Sequence, residues 1–178
     1  MKRNWTRWIA ISLLLAAVLD VASTYIASPD LSREANPLTT AFGQTWLNVF
    51  AIKFIGSLGC LLIFNCGLHT LHSRRKRLSG LSGFWCVMSH LIYKRQMTAS
   101  AFLLRGGIRD MGAYLSLIAV CITMGVLLGS VAASMSNSLK LIQSYSAAIA
   151  FWCIAGVLGT ALGAMMTYRF LAADNEAE

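Results

Sequence analysis

Four long runs of apolar residues divide the sequence, and polar or basic stretches separate them. The runs cover about residues 9–28, 45–68, 111–134 and 146–170. Each is close to the length of about 20 apolar residues that an α-helix needs to cross the hydrocarbon core of a bilayer. The pattern therefore predicts an all-α protein, an integral membrane bundle of four transmembrane helices.

The first run also fits a competing interpretation, a cleaved signal peptide. A basic segment precedes its apolar core, and Val21-Ala22-Ser23 has the small residues of a cleavage site. The apolar character continues through Tyr25-Ile26-Ala27, however, and Asp20 is unusual beside such a site. We therefore expect an uncleaved helix, with Trp5 and Trp8 at the level of the lipid headgroups.

The longest stretch between the runs, residues 69–110, is rich in lysine and arginine. Apolar residues recur in it at helical spacing and predict one amphipathic helix, at Phe84, Val87, Met88, Leu91 and Ile92. We expect it to lie on the inner leaflet as an interfacial helix, and packing beneath the bundle is the competing account. Basic loops remain on the cytoplasmic side of a plasma (inner) membrane, which places both termini in the cytoplasm.

The domain organisation follows from these elements. We divide the chain into a first helical hairpin (1–68), a basic cytoplasmic loop (69–110) and a second hairpin with an acidic tail (111–178). In the loop, Asp110 is most simply paired with the neighbouring Arg109 at the start of the third helix.

The composition of the chain bears on which kind of partner it binds. The chain is 57% hydrophobic and 12% charged, with a formal net charge of +8. A basic protein can bind nucleic acid, but here four cations directly follow the second apolar run, at Arg74, Arg75, Lys76 and Arg77. Membrane topology and anionic lipid headgroups at the cytoplasmic face explain that position better. We expect contact with membrane lipids and none with nucleic acid.

Two opposite charges interrupt the first two runs at matched depth. Asp20 and Lys53 each lie eight residues inward from the predicted outer end of the helix, at Ser28 and Thr45. At ~1.5 Å per residue, both lie roughly 12 Å below the surface. An unpaired charge costs about 2.5–3.5 kcal/mol near a helix centre and somewhat less off-centre, so we expect the two side chains to pair in the bundle interior.

Further polar residues extend this cluster outward. Ser23 and Thr24 lie one turn from Asp20 on the same helical face, and Glu34 and Asn36 follow in the loop. Such oxygen groups suit a hard cation, and a carboxylate beside an amine suits proton transfer. The alternative is structural: an ion pair that sets helix register, and a capped turn. Lys53 argues against a metal, and we expect none and no cofactor.

One resemblance rests on these residues. The segment from Leu19 to Thr24, the element Glu34-Ala35-Asn36-Pro37 and a helix bearing Lys53 resemble the signature of an uncharacterised family of small prokaryotic multi-pass membrane proteins, a domain of unknown function. The resemblance covers about residues 10–60. It supports this polar cluster as the functional locus and a bacterial setting, and it supplies no mechanism.

The last two runs carry small residues at four-residue spacing. The motifs are Gly125-x-x-x-Gly129 and Gly159-x-x-x-Gly163, which allow two helices to approach closely. These helices either pair with each other or with a second copy, so a homo-oligomer or a membrane protein partner is plausible.

The function expected from the sequence is that of a non-enzymatic membrane module binding a partner protein, lipid or small ligand. One alternative is a transporter or channel component relaying protons or an ion through Asp20, Glu34 and Lys53. A second is a membrane enzyme that uses a carboxylate as general base. The sequence carries no catalytic motif that selects the last alternative, so no catalytic residue is assigned.

Overall fold

The computed structural model describes residues 2–31, 41–43, 45–75, 78, 81, 83–104, 107–139 and 145–172. Within these ranges the regular secondary structure is entirely helical. The elements are α1 (Lys2–Ala27), α2 (Trp46–Arg75), α3 (Phe84–Tyr93), α4 (Ala99–Leu104), α5 (Met111–Leu139) and α6 (Tyr145–Ala172). Four of them, α1, α2, α5 and α6, are long and apolar enough to cross a membrane, which confirms the predicted fold class.

Two helices extend well beyond the C-terminal ends of their apolar runs. α2 continues past Leu68 to Arg75, so the boundary drawn after residue 68 falls inside a helix. The continuation is held by apolar contacts, since Leu71 is fully buried and the His72 ring lies 6.3 Å from that of Phe170. Similarly, α5 runs beyond Ser134 to Leu139. Apolar run length measures the lipid-embedded part of a helix and not the whole helix.

α5 is the central helix of the bundle. It packs against α1, α2 and α6, and its pairing with α6 is the most extensive. The main apolar core combines residues from all of these helices, including Leu13, Phe64, Val120 and Phe170. α5 thereby connects the two predicted hairpins.

The short apolar helix α3 packs against α5 and α6. Six of its residues are buried: Val87, Met88, Ser89, Leu91, Ile92 and Tyr93. The backbone amides of Arg109 and Asp110 donate to the Ile92 carbonyl at 3.1 and 3.0 Å. α3 therefore packs on the end of the bundle, as in the competing account from the sequence. We call this end, where Arg74 and Arg75 close α2 and Asp110 precedes α5, the basic end.

The α5–α6 contact is closest at two glycines of α6. A Cβ atom on Gly159 would lie 2.4 Å from the Gly125 Cα, and one on Gly163 would lie 2.7 Å from the Cys121 Cα. By contrast, a Cβ on Gly129 meets no described atom within 4 Å. The two helices thus pair with each other, through three of the four predicted glycines.

Candidate functional site

Asp20 and Lys53 form an ion pair between α1 and α2. The Lys53 ammonium donates a hydrogen bond to Oδ2 of Asp20. Asp20 is almost completely buried, with 1% of its surface exposed, whereas the Lys53 side chain is 18% exposed. The short carboxylate cannot reach water, so its charge depends on the amine beside it.

Ser23 and Thr24 are buried one turn along α1 from the ion pair. Both hydroxyls donate to the backbone carbonyl of Asp20 at 2.9 Å. Hydroxyls in helices commonly donate back to a carbonyl three or four residues earlier. Their donor protons are therefore used within α1, and their oxygens remain as acceptors.

Asn137 of α5 supplies a donor to those oxygens. Its Nδ2 lies 3.2 Å from the Thr24 hydroxyl and 3.4 Å from the Ser23 hydroxyl. The polar cluster therefore joins three membrane helices: Asp20, Ser23 and Thr24 on α1, Lys53 on α2 and Asn137 on α5. Contact between α1 and α5 at this depth ties the first hairpin to the second.

Sequence reasoning missed Asn137, because the residue lies beyond the predicted end of the third apolar run at residue 134. The tripeptide Ser136-Asn137-Ser138 has the composition of a turn, and the helix continues through it to Leu139. The sequence feature that pointed to such a residue was the pair of hydroxyls on α1, Ser23 and Thr24. Their oxygens can accept hydrogen bonds from a donor on a neighbouring helix.

The hairpin between α1 and α2 closes just beyond this cluster. The Trp46 indole donates to the Pro29 carbonyl at 2.9 Å, and its ring lies 5.3 Å from that of Tyr25. Leu31 is buried against Val21 and Val49. The predicted site residues Glu34 and Asn36 lie outside the described residues, so their expected place at the mouth of the cluster stays a prediction.

The predicted lipid-contacting cations of the basic end make contacts inside the protein. Arg74 Nε lies 3.1 Å from Asp110 Oδ2, and the Arg75 guanidinium lies 5.6 Å from the centre of the Phe170 ring. Lys76 and Arg77 lie outside the described residues. Asp110 thus pairs with Arg74 and not with its neighbour Arg109, whose side chain is exposed.

Asp110 also caps α5. Its Oδ1 accepts a hydrogen bond from the Ala113 amide at 3.0 Å, which satisfies a free donor of the first turn. Burial raises the pKa of this carboxyl, but the Ala113 hydrogen bond and the charges of Arg74 and Lys94 outweigh it, and the pKa lies below its ordinary value of 3.8. Asp110 is therefore ionised and stabilises the folded protein at neutral pH.

We expect Asp110→Asn to lower the free energy of unfolding by about 1 kcal/mol at pH 7, because asparagine keeps the cap but loses the ion pair. A lowered folded pKa gives stability that is complete above the ordinary value of 3.8 and is lost as the pH falls through the folded pKa. The difference between wild type and variant should therefore shrink below that pH. Detergent unfolding curves at several pH values measure it.

Arg109→Gln is the control for this experiment, since it removes the adjacent cation without touching the ion pair. It should leave both the stability and its pH dependence unchanged. A difference between wild type and Asp110→Asn that stays constant as the pH falls well below 3.8 would contradict the assignment.

Comparisons with known proteins found no match. No family model matches the chain, and no curated protein or solved structure is significantly similar to it. The resemblance of residues 10–60 to an uncharacterised membrane family stays a prediction. Function must therefore be argued from the site itself.

Proposed function

We propose that the protein is a non-enzymatic membrane module that binds another membrane helix, and that the polar cluster of Asp20, Ser23, Thr24, Lys53 and Asn137 braces it for that role. What supports the structural role is that these groups satisfy one another. The carboxylate has its amine, the hydroxyls have the Asp20 carbonyl, and their oxygens have the Asn137 amide. A cluster saturated in this way favours bracing over turnover of a substrate.

The exposure of α2 supports the proposal that the binding partner is another membrane helix. Only 11% of the most apolar 18-residue stretch of α2 is buried inside the protein, whereas 44% of the corresponding stretch of α1 is buried. Gly56 and Gly59 lie on this helix, and a Cβ atom on either would meet no described atom within 4 Å. Small residues at membrane helix contacts allow close approach, as Gly159 and Gly163 do on α6.

An aromatic row borders this surface. The rings of Tyr25, Trp46, Phe50 and Phe54 follow one another with centroid distances of 5.3, 6.3 and 6.3 Å. Phe50 and Phe54 are 45% and 37% exposed. At 3.6 residues per turn, Phe54 lies about 140–160° around α2 from Gly59 and Gly56. The rings and the glycines therefore line opposite edges of the exposed side, and the ion pair to Asp20 holds α2 in position. In the topology proposed from the basic loop, this surface lies in a plasma membrane with both termini in the cytoplasm.

A photo-crosslinking amino acid placed at Ile55 tests the proposal. Ile55 is 69% exposed and lies four residues before Gly59, on the same helical face. In native cell membranes we expect a covalent adduct with a protein, and we expect Gly59→Leu to abolish it by filling the close-approach site.

Val157 of α6 is the matched control, because it is also 69% exposed. Crosslinker at Val157 should react with lipid alone. The proposal fails if Ile55 gives no protein adduct or if Val157 gives the same adduct. An adduct of twice the chain's own mass would identify the partner as a second copy.

A further inference from the structure

A second site lies at the basic end, separate from the polar cluster and from the exposed side of α2. It is a cavity of about 140 Å³ where the end of α2, the end of α3 and the start of α5 meet. One water molecule needs roughly 10–15 Å³ on this measure, so a small polyatomic group fits. The cavity is lined by Arg74, Leu78, His90, Leu91, Lys94 and Asp110.

The charged side chains around this cavity leave a net positive charge. Arg74 and Lys94 bring two positive charges and Asp110 brings one negative charge. The Asp110 carboxylate is already engaged by Arg74 and by the Ala113 amide. Lys94 makes no ion pair with any residue that the structure describes, so its ammonium is available to a ligand.

One buried nitrogen of the lining residues has no hydrogen-bond partner among the described residues, His90 Nδ1. Arg74 Nε lies 3.1 Å from Asp110 Oδ2 in the ion pair. Buried polar atoms are normally hydrogen bonded. A phosphate group carries several acceptor oxygens for the cations Arg74 and Lys94, and one of them can accept from His90 Nδ1 when that nitrogen carries the proton.

The position of the cavity indicates where such a phosphate comes from. Arg74 stands in the last turn of a membrane helix, and Asp110 directly precedes another. Side chains at that level meet the headgroups of a bilayer. Leu78 and Leu91 add apolar walls that suit the glycerol and upper chain of a lipid. We propose that this cavity binds a phosphate group, that of an anionic phospholipid headgroup at the basic end.

Lys94→Asn tests the proposal with little risk to folding. Lys94 is exposed and has a φ of 55°, a left-handed conformation that asparagine tolerates. Arg95→Asn is the matched control, because it removes the same charge from the next exposed residue, which does not line the cavity. Elution of each variant from a sizing column at the wild-type volume is the test that it folds.

Binding is measured by thermophoresis of the full chain in neutral detergent, titrated with short-chain phosphatidylglycerol. We expect Lys94→Asn to weaken binding about tenfold, the effect of one charge-assisted hydrogen bond, and Arg95→Asn to bind as wild type does. Phosphatidylcholine of the same chain length should bind more weakly, because its choline brings a positive charge to a basic site.

Titration with inorganic phosphate separates the two sources of this group. Lys94-dependent binding of inorganic phosphate without binding of phosphatidylglycerol would overturn the lipid headgroup as the source and assign the cavity to free phosphate. An equal loss in both variants, or no binding of either ligand, would overturn the phosphate site itself.

Discussion

Replacing Lys53 with methionine is expected to lower the stability of the folded protein in the membrane by roughly 2.5–3.5 kcal/mol, the cost of an unpaired charge at such depth. Asp20 is 1% exposed and its side chain is short, so the stranded carboxylate has no route to water. Asp20→Ala should cost less, because the longer Lys53 side chain, already 18% exposed, can extend toward the interface.

The double variant carries the decisive result. With both charges removed, we expect most of the lost stability to return, since the penalty in each single variant comes from the charge left behind. Folded protein recovered from membranes and unfolding curves in detergent measure all four proteins of the cycle. Ser57→Ala is the control, because Ser57 donates to the Lys53 carbonyl of its own helix and carries no charge.

Two results would count against a bracing role for the ion pair. One is a double variant no more stable than the worse single variant. The other is single variants that fold normally but abolish a cellular phenotype, and that outcome would move a proton relay or a catalytic role ahead. Proton uptake by vesicles containing the purified protein then distinguishes the two, because only a relay predicts uptake that depends on Asp20 and Lys53.

Gly159→Ala is the second substitution with a large expected effect. The new Cβ would lie 2.4 Å from the Gly125 Cα, 2.6 Å from its nitrogen and 2.9 Å from the Met124 carbonyl carbon. All three are backbone atoms, so no rotamer change relieves the overlap and α5 must move away from α6. We expect a loss of at least about 1–3 kcal/mol, the usual cost of overpacking, measured as a lower midpoint of unfolding in detergent.

Gly156→Ala is the matched control on the same helix. A Cβ at that position meets no described atom within 4 Å, and alanine favours a helix over glycine by about 1 kcal/mol in soluble hosts. The control should be neutral or slightly stabilising. Equal losses in both variants would show that helix propensity, and not close packing of α5 on α6, governs this region.

The sequence was sufficient for the parts of this protein that depend on local pattern and on the cost of charge in lipid. Long apolar runs predict the four membrane helices, because only a helix satisfies its own backbone within a bilayer. Matched depth predicts that Asp20 and Lys53 lie close together, because an isolated charge there is unfavourable. Both inferences need only the distance along a helix and the polarity of each residue.

Only the tertiary structure decided which helix meets which. The pairing of Asp110 with Arg74, the contact of Asn137 with Ser23 and Thr24, and the position of α3 under α5 and α6 all join segments distant in the chain. Adjacency in the sequence suggested Arg109 as the partner of Asp110. The turn-like composition around Asn137 suggested that this residue lies outside the helix. Sequence periodicity reports which face of a helix is polar, whereas helix packing decides what that face touches.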